Sequence, residues 1–355
     1  MYQYFFDLTG SEILSSLIVA VFPLVNVLLV VLIGVYLERK VSAHMQDRLG
    51  PMRTGWHGTL QLIADFIKLL QKEDIKSKDF DKVLYNIAPV LIFTGSFAAY
   101  AVLPFSSQLI GSEVEVGIFY IIAISGLVVP AILMAGWSSN NKYSLLGAMR
   151  SAAQIVSYEI PTALVVLSMV MLSGTMSLDK ISAIQTSSFW NWNILGGLGS
   201  GLSQILLIPF MIAGFIIIFL STLAETNRTP FDIPEAESEL VAGYFTEYCG
   251  MKYAMFMLSE YANMFAVSAI IAVLFFGGYQ SPIGYLGNSI GAQWLIPYEQ
   301  GFWFLAKGWF FIFVQMWLRW TLPRLRVDQL MSLCWKYLIP YAFVNLIVIG
   351  IISLL

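Results

Sequence analysis

The chain has 355 residues, of which 58% are hydrophobic and only 12% are charged. Soluble domains carry about 25% charged residues, so this composition excludes a soluble globular protein and predicts one integral membrane domain over residues 1–355. Two cysteines and two histidines are too few to ligate haem or an iron–sulfur cluster, so we expect no metal site. The net charge of −3 does not indicate partners, and we expect no nucleic-acid partner.

Eight stretches are long and apolar enough to cross a bilayer, because a spanning helix needs about 20 mostly apolar residues. They predict an all-α polytopic membrane protein. The N-terminus lacks the basic region of a cleavable signal, so the first stretch is expected to stay as a helix. The predicted spans are residues 12–37, 86–105, 116–136, 146–173, 200–224, 252–278, 301–320 and 335–354.

Lysine and arginine are unevenly divided between the two ends of these spans. The loops after spans 1, 3, 5 and 7, with the adjoining helix ends, hold all of the 19 basic residues except Lys180 and Lys307. Basic loops face the cytoplasm, so both termini are predicted on the outer, periplasmic side of a bacterial inner membrane. Lys307 lies inside span 7 and is expected to snorkel to the outer surface, with a buried counter-ion role as the alternative.

Span 1 is followed by a basic turn and a short amphipathic segment. Glu38 and Arg39 follow the apolar run directly, and glycine and proline residues between 50 and 55 mark a turn that leaves Arg48 and Arg53 exposed. Residues 58–72 are too short to span, but their polar residues, including Asp65, fall on one stripe. This predicts a short amphipathic helix at the membrane interface. A surface anchor and the wall of an access path for an amphipathic ligand both remain open.

Span 4 carries an acid in its middle. Glu159 stands two residues before Pro161, which cannot donate to the carbonyl of Ser157, so the helix should kink or open there. Arg150 is about half a turn out of phase and cannot neutralise Glu159 within the helix. An unpaired glutamate at this depth should be protonated or share a proton with another acid. A proton relay is favoured over a neutral glutamate that donates to a backbone carbonyl.

The loop between spans 5 and 6 holds the densest group of acids. Ionisable side chains cost about 2.5–3.5 kcal/mol each at the centre of a membrane helix, so acids gathered at the membrane mouth suggest proton or cation handling. The opposite charges in this loop are Arg228 and Lys252. The acids are Glu225, Asp232, Glu235, Glu237, Glu239 and Glu247, with Glu260 farther along in span 6.

Helix capping explains only part of this acidic group. A helix is expected to begin near Pro234, with Asp232 close to its cap. Glu235 and Glu237 would then favour the positive end of the helix dipole. Glu239 would repel Glu235 at i, i+4 instead. Acids inside or at the ends of the spans are not capping residues, which leaves a carboxylate path as the favoured interpretation.

Three arginines, Arg319, Arg324 and Arg326, lie within eight residues at the end of span 7 and just after it. They are interpreted either as a topogenic signal or as groups that dock a soluble partner or orient a polar headgroup. His44 and His57 are isolated loop histidines, and no role is assigned to them.

Together these segments resemble the H-subunit (mitochondrial subunit 1) family of respiratory complex I, the proton-pumping NADH:quinone oxidoreductase. The resemblance runs in order from span 1 to span 8. Cys249 and Ser259 depart from the small residues expected there, and neither change removes an acid. The matching stretches are Glu38-Arg-Lys, residues 50–65 with 72–74, residues 140–159, residues 224–248, residues 259–263 and residues 323–331.

The resemblance implies a subunit where the hydrophilic and membrane arms meet, beside hydrophilic quinone-module subunits and small and antiporter-like membrane subunits. It would bind no cofactor itself; FMN, iron–sulfur clusters and NADH would lie on partners, with ubiquinone or menaquinone as substrate. Carried over residue by residue, the quinone chamber would use Glu38, Arg39, Arg48, Arg53, Asp65, Arg228, Phe231, Arg319, Arg324 and Arg326. The proton path would use Glu159, Glu225, Glu235, Glu237, Glu239 and Glu260.

Two other function classes are compatible with parts of this pattern. The membrane anchor of an energy-converting hydrogenase, or of another quinone-linked dehydrogenase, would use the same scaffold for different chemistry. A stand-alone proton or cation transporter is disfavoured, because we find no internal repeat and because the basic loops suit docking of a soluble arm. Without ligands for a redox centre, the chain is expected to be a non-redox-active subunit with no complete active site of its own.

Overall fold

Eight helices among the described residues are long and apolar enough to cross a membrane, which confirms the predicted all-α polytopic fold. The computed structural model describes residues 10–197, 202–234 and 237–354, and no β-strand occurs in these ranges. The candidate spans are Leu17–Met45, Lys82–Tyr100, Gly117–Ser138, Lys142–Ser173, Ser203–Glu225, Gly250–Phe275, Gln293–Thr321 and Val327–Ser353.

The α-helices are numbered in chain order, and a π-helix, Cys334–Leu338, connects the last two. Short 3-10 turns lie at Trp56–Gly58, Phe189–Asn191, Asn193–Leu195, Gly243–Phe245 and Gln293–Leu295. The helices are α1 Glu12–Met45, α2 Gln61–Gln71, α3 Lys82–Tyr100, α4 Gly117–Ser125, α5 Val128–Ser138, α6 Lys142–Ser173, α7 Leu178–Ile184, α8 Leu202–Glu225, α9 Glu237–Leu240, α10 Gly250–Phe275, α11 Leu286–Ile290, α12 Ile296–Thr321, α13 Val327–Leu333 and α14 Ile339–Ser353.

The first helix is longer than its apolar run. The run ends at residue 37, whereas α1 continues to Met45. Glutamate, arginine and lysine are good helix formers, so the end of the apolar stretch does not end the helix. As a result, Glu38 and Arg39 project from a rigid helix and not from a loop.

Two predicted spans are interrupted shortly before a proline. Span 3 consists of α4 and α5 with Gly126 and Leu127 between them, and the last span consists of α13, the π-helix and α14. Pro130 and Pro340 lack the amide hydrogen that would bond the preceding turn, which gives each interruption a local cause. The predicted span at 116–136 is confirmed as Gly117–Ser138, made of two helices, whereas the last span begins at Val327 and not near residue 335.

The helix α6 continues through Pro161, so the expected opening there is wrong. The Ser157 carbonyl, which Pro161 cannot serve, accepts a hydrogen bond from the Cys334 thiol, with 3.0 Å between sulfur and oxygen. One residue on, the Tyr158 hydroxyl donates to the Leu330 carbonyl at 2.9 Å. The last span thus supplies the donor that the proline removes, and it is fixed to α6 at that turn.

The helix α10 lies at the centre of the bundle. In its most apolar stretch 67% of the residues are buried, against 28% in the first and last spans. It packs against α1, α3, α8 and α12. Polar groups on α10 are therefore placed where several helices meet, and this determines the environment of Glu260, Tyr261 and Asn263.

The predicted amphipathic segment forms α2, which confirms the helix. None of its residues is buried within this chain, and it contacts α1 and α10. Ile63, Ile67 and Leu70 are about half exposed on one side of it. An apolar face without cover in this chain is what a helix at a lipid or subunit boundary presents. Its position at the membrane interface stays a prediction.

Lys307 neither snorkels to solvent nor pairs with an acid. Its ammonium donates to the carbonyl oxygens of Phe276, Gly278 and Gln280, at 2.6, 2.9 and 2.6 Å. The ring of Trp192 lies 4.3 Å from the same nitrogen. The charge is satisfied by backbone dipoles just beyond the end of α10, so Lys307 joins α12 to the end of α10 that is predicted to face outward.

Candidate functional site: a charged cluster beside an apolar cavity

Glu38 is the centre of a buried charged cluster where α1, α10 and α12 meet. Its side chain is 10% exposed. Both carboxylate oxygens accept from Nη1 of Arg228 at 3.4 Å, and Oε1 also accepts a short bond from Arg319. A buried carboxylate between two guanidinium groups is stable only while its partners remain, because an unpaired buried charge costs several kcal/mol.

Tyr261 completes this cluster and was not identified from the sequence. Its ring lies 4.5 Å from the guanidinium carbon of Arg228, which is a cation–π distance. Its hydroxyl also lies near the carboxylate of Glu38. The sequence signal available was its place next to Glu260 within the matching stretch 259–263, but only the fold shows that it faces α1.

A second pair links α1 to the amphipathic helix. Arg39 donates to Asp65 at 2.6 Å, and Gln61 donates to the other carboxylate oxygen at 3.1 Å. Partial burial raises the pKa of Asp65, but the hydrogen bonds from Arg39 and Gln61 and the charges of Arg39 and Lys68 together lower it below its ordinary value. Asp65 is therefore ionised at neutral pH and holds α2 against the end of α1.

Asp232 forms an ion pair, and its expected capping role concerns residues 235–236, which lie outside the described residues. Its carboxylate accepts from Arg324 at 3.0 Å, and α9 is described only from Glu237. The pair joins the acidic loop to the arginine-rich segment after α12. Phe231, expected in the quinone chamber, is 1% exposed and packs against the ring of Tyr158 at 5.5 Å.

Three of the predicted chamber arginines lie outside this cluster. Arg48 donates to Gln46 at 2.6 Å on the exposed turn after α1. Arg53 is exposed on the same turn. Arg326 pairs with Asp328 at 3.3 Å, with both side chains more than two thirds exposed. The structure thus brings together Glu38, Arg228 and Arg319 of the predicted set. Arg39 and Asp65, also in that set, pair with each other, and Arg324 pairs with Asp232, which was not predicted for the chamber.

Gln154 holds the start of the acidic loop in place and was also missed. This residue of α6 is 2% exposed, and its amide nitrogen donates to the carbonyls of Ala224 and Phe231 at 2.7 and 2.8 Å. The same nitrogen lies 3.2 Å from the side-chain oxygen of Asn227. A buried amide in a spanning helix was the available signal, since such groups need partners.

Glu260 belongs to the charged cluster. Its carboxylate accepts from the Tyr244 hydroxyl at 3.2 Å. It also lines a cavity of about 10 Å³, close to the minimum for one water. The other residues around this small cavity are Asn227, Arg228, Thr229, Asp232 and Arg319.

Glu159 and Glu225 face a different environment, an apolar cavity of about 100 Å³ between α3, α4, α5, α6, α8 and α10. At about 30 Å³ per molecule this volume suits a few waters. Among the lining residues in the described chain, these two glutamates are the charged ones, and no lysine or arginine faces them. Acids without a fixed counter-charge can exist neutral, so they can change protonation without breaking an ion pair.

The two cavities adjoin along the chain. Glu225 and Thr226 line the apolar cavity, and the next residues, Asn227 and Arg228, line the small charged one. On α10, Glu260 lines the small charged cavity, and Asn263, about one helical turn later, lines the apolar cavity. The charged cluster and the lining of the apolar cavity therefore meet along two segments of the chain, residues 225–228 and 260–263.

The remaining acids of the predicted proton path are Glu235, Glu237 and Glu239. Glu239 pairs with Arg150 at 2.7 Å at the surface, which gives Arg150 a partner other than Glu159. Glu235 lies outside the described residues. Glu237 begins α9, but its side chain also lies outside what is described. Their part in a proton path therefore stays a prediction.

Comparison with known proteins identifies the family. Residues 18–350 match the protein family described as NADH dehydrogenase. The chain is 54% identical over 342 residues to the H subunit of NADH-quinone oxidoreductase from Chlorobium luteolum, and the match covers 95% of this chain and 89% of that protein.

Two further relatives agree with this match. The H subunit of the same enzyme from Chlorobaculum tepidum is 53% identical over 342 residues, or 95% and 92% of the two chains. The H 2 subunit from Cytophaga hutchinsonii is 45% identical over 356 residues, or 94% and 98%. Each match covers nearly the whole of both chains. The chain therefore belongs to the family of NADH-quinone oxidoreductase H subunits, which are membrane subunits of complex I.

Proposed function

We propose that this chain forms part of the quinone chamber of a proton-translocating NADH:quinone oxidoreductase and carries a carboxylate path from that chamber into the membrane. The observation that carries the proposal is that consecutive residues line the two cavities: Thr226 lines the apolar cavity and Asn227 lines the small charged one. The charged cluster can bind a polar headgroup, and the apolar cavity holds acids that can take up or release protons.

Electrons would come from partner subunits. NADH, FMN and iron–sulfur clusters on those subunits would reduce the quinone, and reduction to quinol takes up two electrons and two protons. This chain would hold and respond to the charge. Arg228 and Arg319 supply positive charge beside Glu38, which favours a polar or anionic form of the quinone headgroup nearby.

Charge that appears in the chamber would alter the acids beyond it. A new negative charge favours the protonated form of nearby carboxyl groups, and closely spaced acids titrate as a coupled set. Glu260, at the small cavity, would respond first, followed by Glu225 and Glu159 in the apolar cavity. Protons would thus move along the row when the quinone changes its charge.

The assignment of residues to the quinone chamber can be tested with one arginine, Arg228, and one acid, Asp65. Arg228→Ala and Asp65→Ala should each raise the apparent KM for quinone or reduce sensitivity to a quinone-site inhibitor. Arg228→Ala removes positive charge beside Glu38, and Asp65→Ala removes the acid that holds Arg39 at the end of α1. Lys180→Ala, at the opposite end of the molecule, is the control. Unchanged quinone kinetics in both test variants would exclude these residues from the chamber.

The function itself is best tested by purifying the native assembly in mild detergent. Flavin, iron–sulfur signals and inhibitor-sensitive NADH:quinone activity in that assembly would support the proposal. An assembly that evolves hydrogen and lacks this activity would favour the hydrogenase anchor instead. A cofactor-free chain that moves protons alone would overturn both.

We also propose that the chain lies in a bacterial inner membrane with both termini on the periplasmic side. The proposal is supported by the basic residues grouped at one end of the bundle. Single cysteines introduced at position 49, between α1 and α2, and at position 291, between α11 and α12, would test it. A membrane-impermeant thiol reagent added to intact cells with a permeable outer membrane should label only the second.

A further inference from the structure

Thr162 lies between Glu225 and the backbone of its own helix. Its side-chain oxygen is 2.7 Å from Oε1 of Glu225 and 3.0 Å from the carbonyl oxygen of Tyr158. Both distances are short enough for hydrogen bonds. A hydroxyl has one hydrogen to donate and can accept two bonds, so it cannot donate to both neighbours at the same time.

The two protonation states of Glu225 therefore require different arrangements. When Glu225 is neutral, its proton can be donated to the Thr162 oxygen while the hydroxyl donates to the Tyr158 carbonyl, and each atom has a partner. When Glu225 is ionised, it can only accept, so the Thr162 hydrogen must turn toward it and leave the carbonyl. The direction of one hydroxyl thus follows the charge of one acid.

The same arrangement occurs at the second acid. The Ser125 hydroxyl, at the end of α4, donates to the Ile122 carbonyl at 2.8 Å. Ser125 also lines the apolar cavity beside Glu159, with its hydroxyl near the carboxyl group of that residue. Each glutamate of the apolar cavity therefore has its own hydroxyl, and each hydroxyl has a backbone carbonyl as its other acceptor.

We propose that Thr162 and Ser125 are positioning residues of the carboxylate pair, and that each turns its single hydrogen from a backbone carbonyl to its glutamate when that acid loses its proton. The inference rests on the proposed function of the cavity as a proton path. The proton itself stays with the carboxyl groups; the hydroxyls accept from the neutral form and donate to the ionised form.

The described lining of the apolar cavity offers the two acids no basic partner that could stabilise the ionised form. The titratable side chains that line the cavity, within the described chain, are Glu159 on α6 and Glu225 on α8. The other polar groups in the lining, Thr222, Thr226 and Asn263, are neutral. Because no basic side chain faces the pair, a hydroxyl that can reverse its bond is the available means of stabilising both states.

The test uses the whole purified complex and three threonine variants. Thr162→Val keeps the shape and removes the hydroxyl, whereas Thr162→Ser keeps the hydroxyl. Thr94→Val is the matched control, because the Thr94 hydroxyl also bonds a carbonyl four residues earlier, at 2.7 Å, but is exposed on the outside of α3. Proton-coupled quinone reduction and infrared difference spectra on quinone reduction are measured for each variant.

We expect Thr162→Val to reduce coupled turnover by about tenfold, from the loss of a hydrogen bond to a charged group. The carboxyl band that disappears in Glu225→Gln should move to higher frequency in Thr162→Val, because the neutral acid has lost its acceptor. Thr162→Ser should restore both the rate and the band, and Thr94→Val should change neither.

Failure of this inference differs from failure of the proposed function. If wild-type complex pumps and Glu225→Gln abolishes pumping, but Thr162→Val retains both the wild-type rate and band, the positioning role is overturned. Equal losses in Thr162→Ser and Thr162→Val would also overturn it, because they would indicate packing and not the hydroxyl. Normal pumping in Glu225→Gln itself would instead overturn the proton path.

Discussion

The charged cluster and the apolar cavity use the same residue type for opposite purposes. Glu38 in the cluster is held by two arginines, with a tyrosine hydroxyl nearby. Glu159 and Glu225 in the cavity have hydroxyl partners and no basic one. A carboxylate fixed between guanidinium groups stays charged and keeps its geometry, whereas an acid with only a hydroxyl can exchange its proton.

The number of acids in a segment therefore does not show where a proton path lies. The surface acid Glu239 and the buried acid Glu38 both have arginine partners, so their charge contributes to structure. Within the described chain, Glu159 and Glu225 can change protonation without breaking an ion pair, because no lysine or arginine lines their cavity. Substituting glutamine in each region turns the comparison into an experiment, because glutamine removes the charge and keeps the shape.

The largest effect is expected in the apolar cavity. Glu225→Gln or Glu159→Gln should reduce coupled quinone reduction by about tenfold or more, because an acid that exchanges protons cannot be replaced by an amide. The complex should still assemble, since neither acid holds an arginine in place. Activity and proton uptake into vesicles measure the effect, and Glu115→Gln, an exposed acid at the other end of the bundle, is the control. Wild-type pumping in both variants would remove the distinction between the two regions.

The same substitution in the cluster should instead affect stability. Glu38→Gln leaves Arg228 and Arg319 close together without their shared counter-charge, and breaking a buried ion pair in this way costs about 3–5 kcal/mol. The thermal midpoint of the complex, or the yield of assembled subunit, measures this loss. An unchanged midpoint would show that the cluster does not depend on Glu38 and that the two regions do not differ as inferred.

A third, smaller effect is expected for Lys307, whose charge is held by backbone carbonyl groups. Lys307→Met should leave the carbonyls of Phe276, Gly278 and Gln280 without their donor, at a cost of about 1–3 kcal/mol. The midpoint should fall, while the KM for quinone stays unchanged, because the site is at the other end of α10. The control is Lys180→Met, whose side chain is 61% exposed. A change in quinone affinity would contradict a purely local role.

Much of the architecture was predictable because lipid imposes a simple rule on sequence. Apolar length predicted eight spans, and a polar stripe predicted α2. The partners were not predictable, because they come from distant parts of the chain. The carbonyl left by Pro161 is served by Cys334, 177 residues away. Nothing in the local pattern of either residue indicates that contact.

The sequence likewise predicted only some residues of the candidate site. A resemblance spread along the chain named Glu38, Arg228 and Arg319, which the fold brings together. It did not separate them from Arg48 and Arg53, because all lie in basic, loop-adjacent segments. Tyr261, Gln154 and Thr162 have neutral side chains, so a search for charge could not find them.

The smallest effect is expected for the exposed Arg39–Asp65 pair at α2, where removing the charge should change the stability little. Arg39 and Asp65 are 44% and 22% exposed, so solvent screening limits the pair to about 0–1 kcal/mol. The pKa of Asp65 is lowered below its ordinary value of 3.8, so the folded state binds this proton less readily than the unfolded state. The pair's contribution is therefore present above that value and is lost as the pH falls through the lower pKa of the folded protein.

The difference in thermal midpoint between wild-type complex and Asp65→Asn should accordingly be small and constant from pH 7 to about pH 5, and should shrink below about pH 4. Added salt at pH 7 should also reduce it, because exposed pairs are screened. Lys68→Gln removes only the more distant charge, 4.0 Å from Asp65, and is the matched control. A large, salt-independent difference at neutral pH would mean that a partner subunit buries this pair in the complex, and α2 would then belong with the charged cluster and not at its edge.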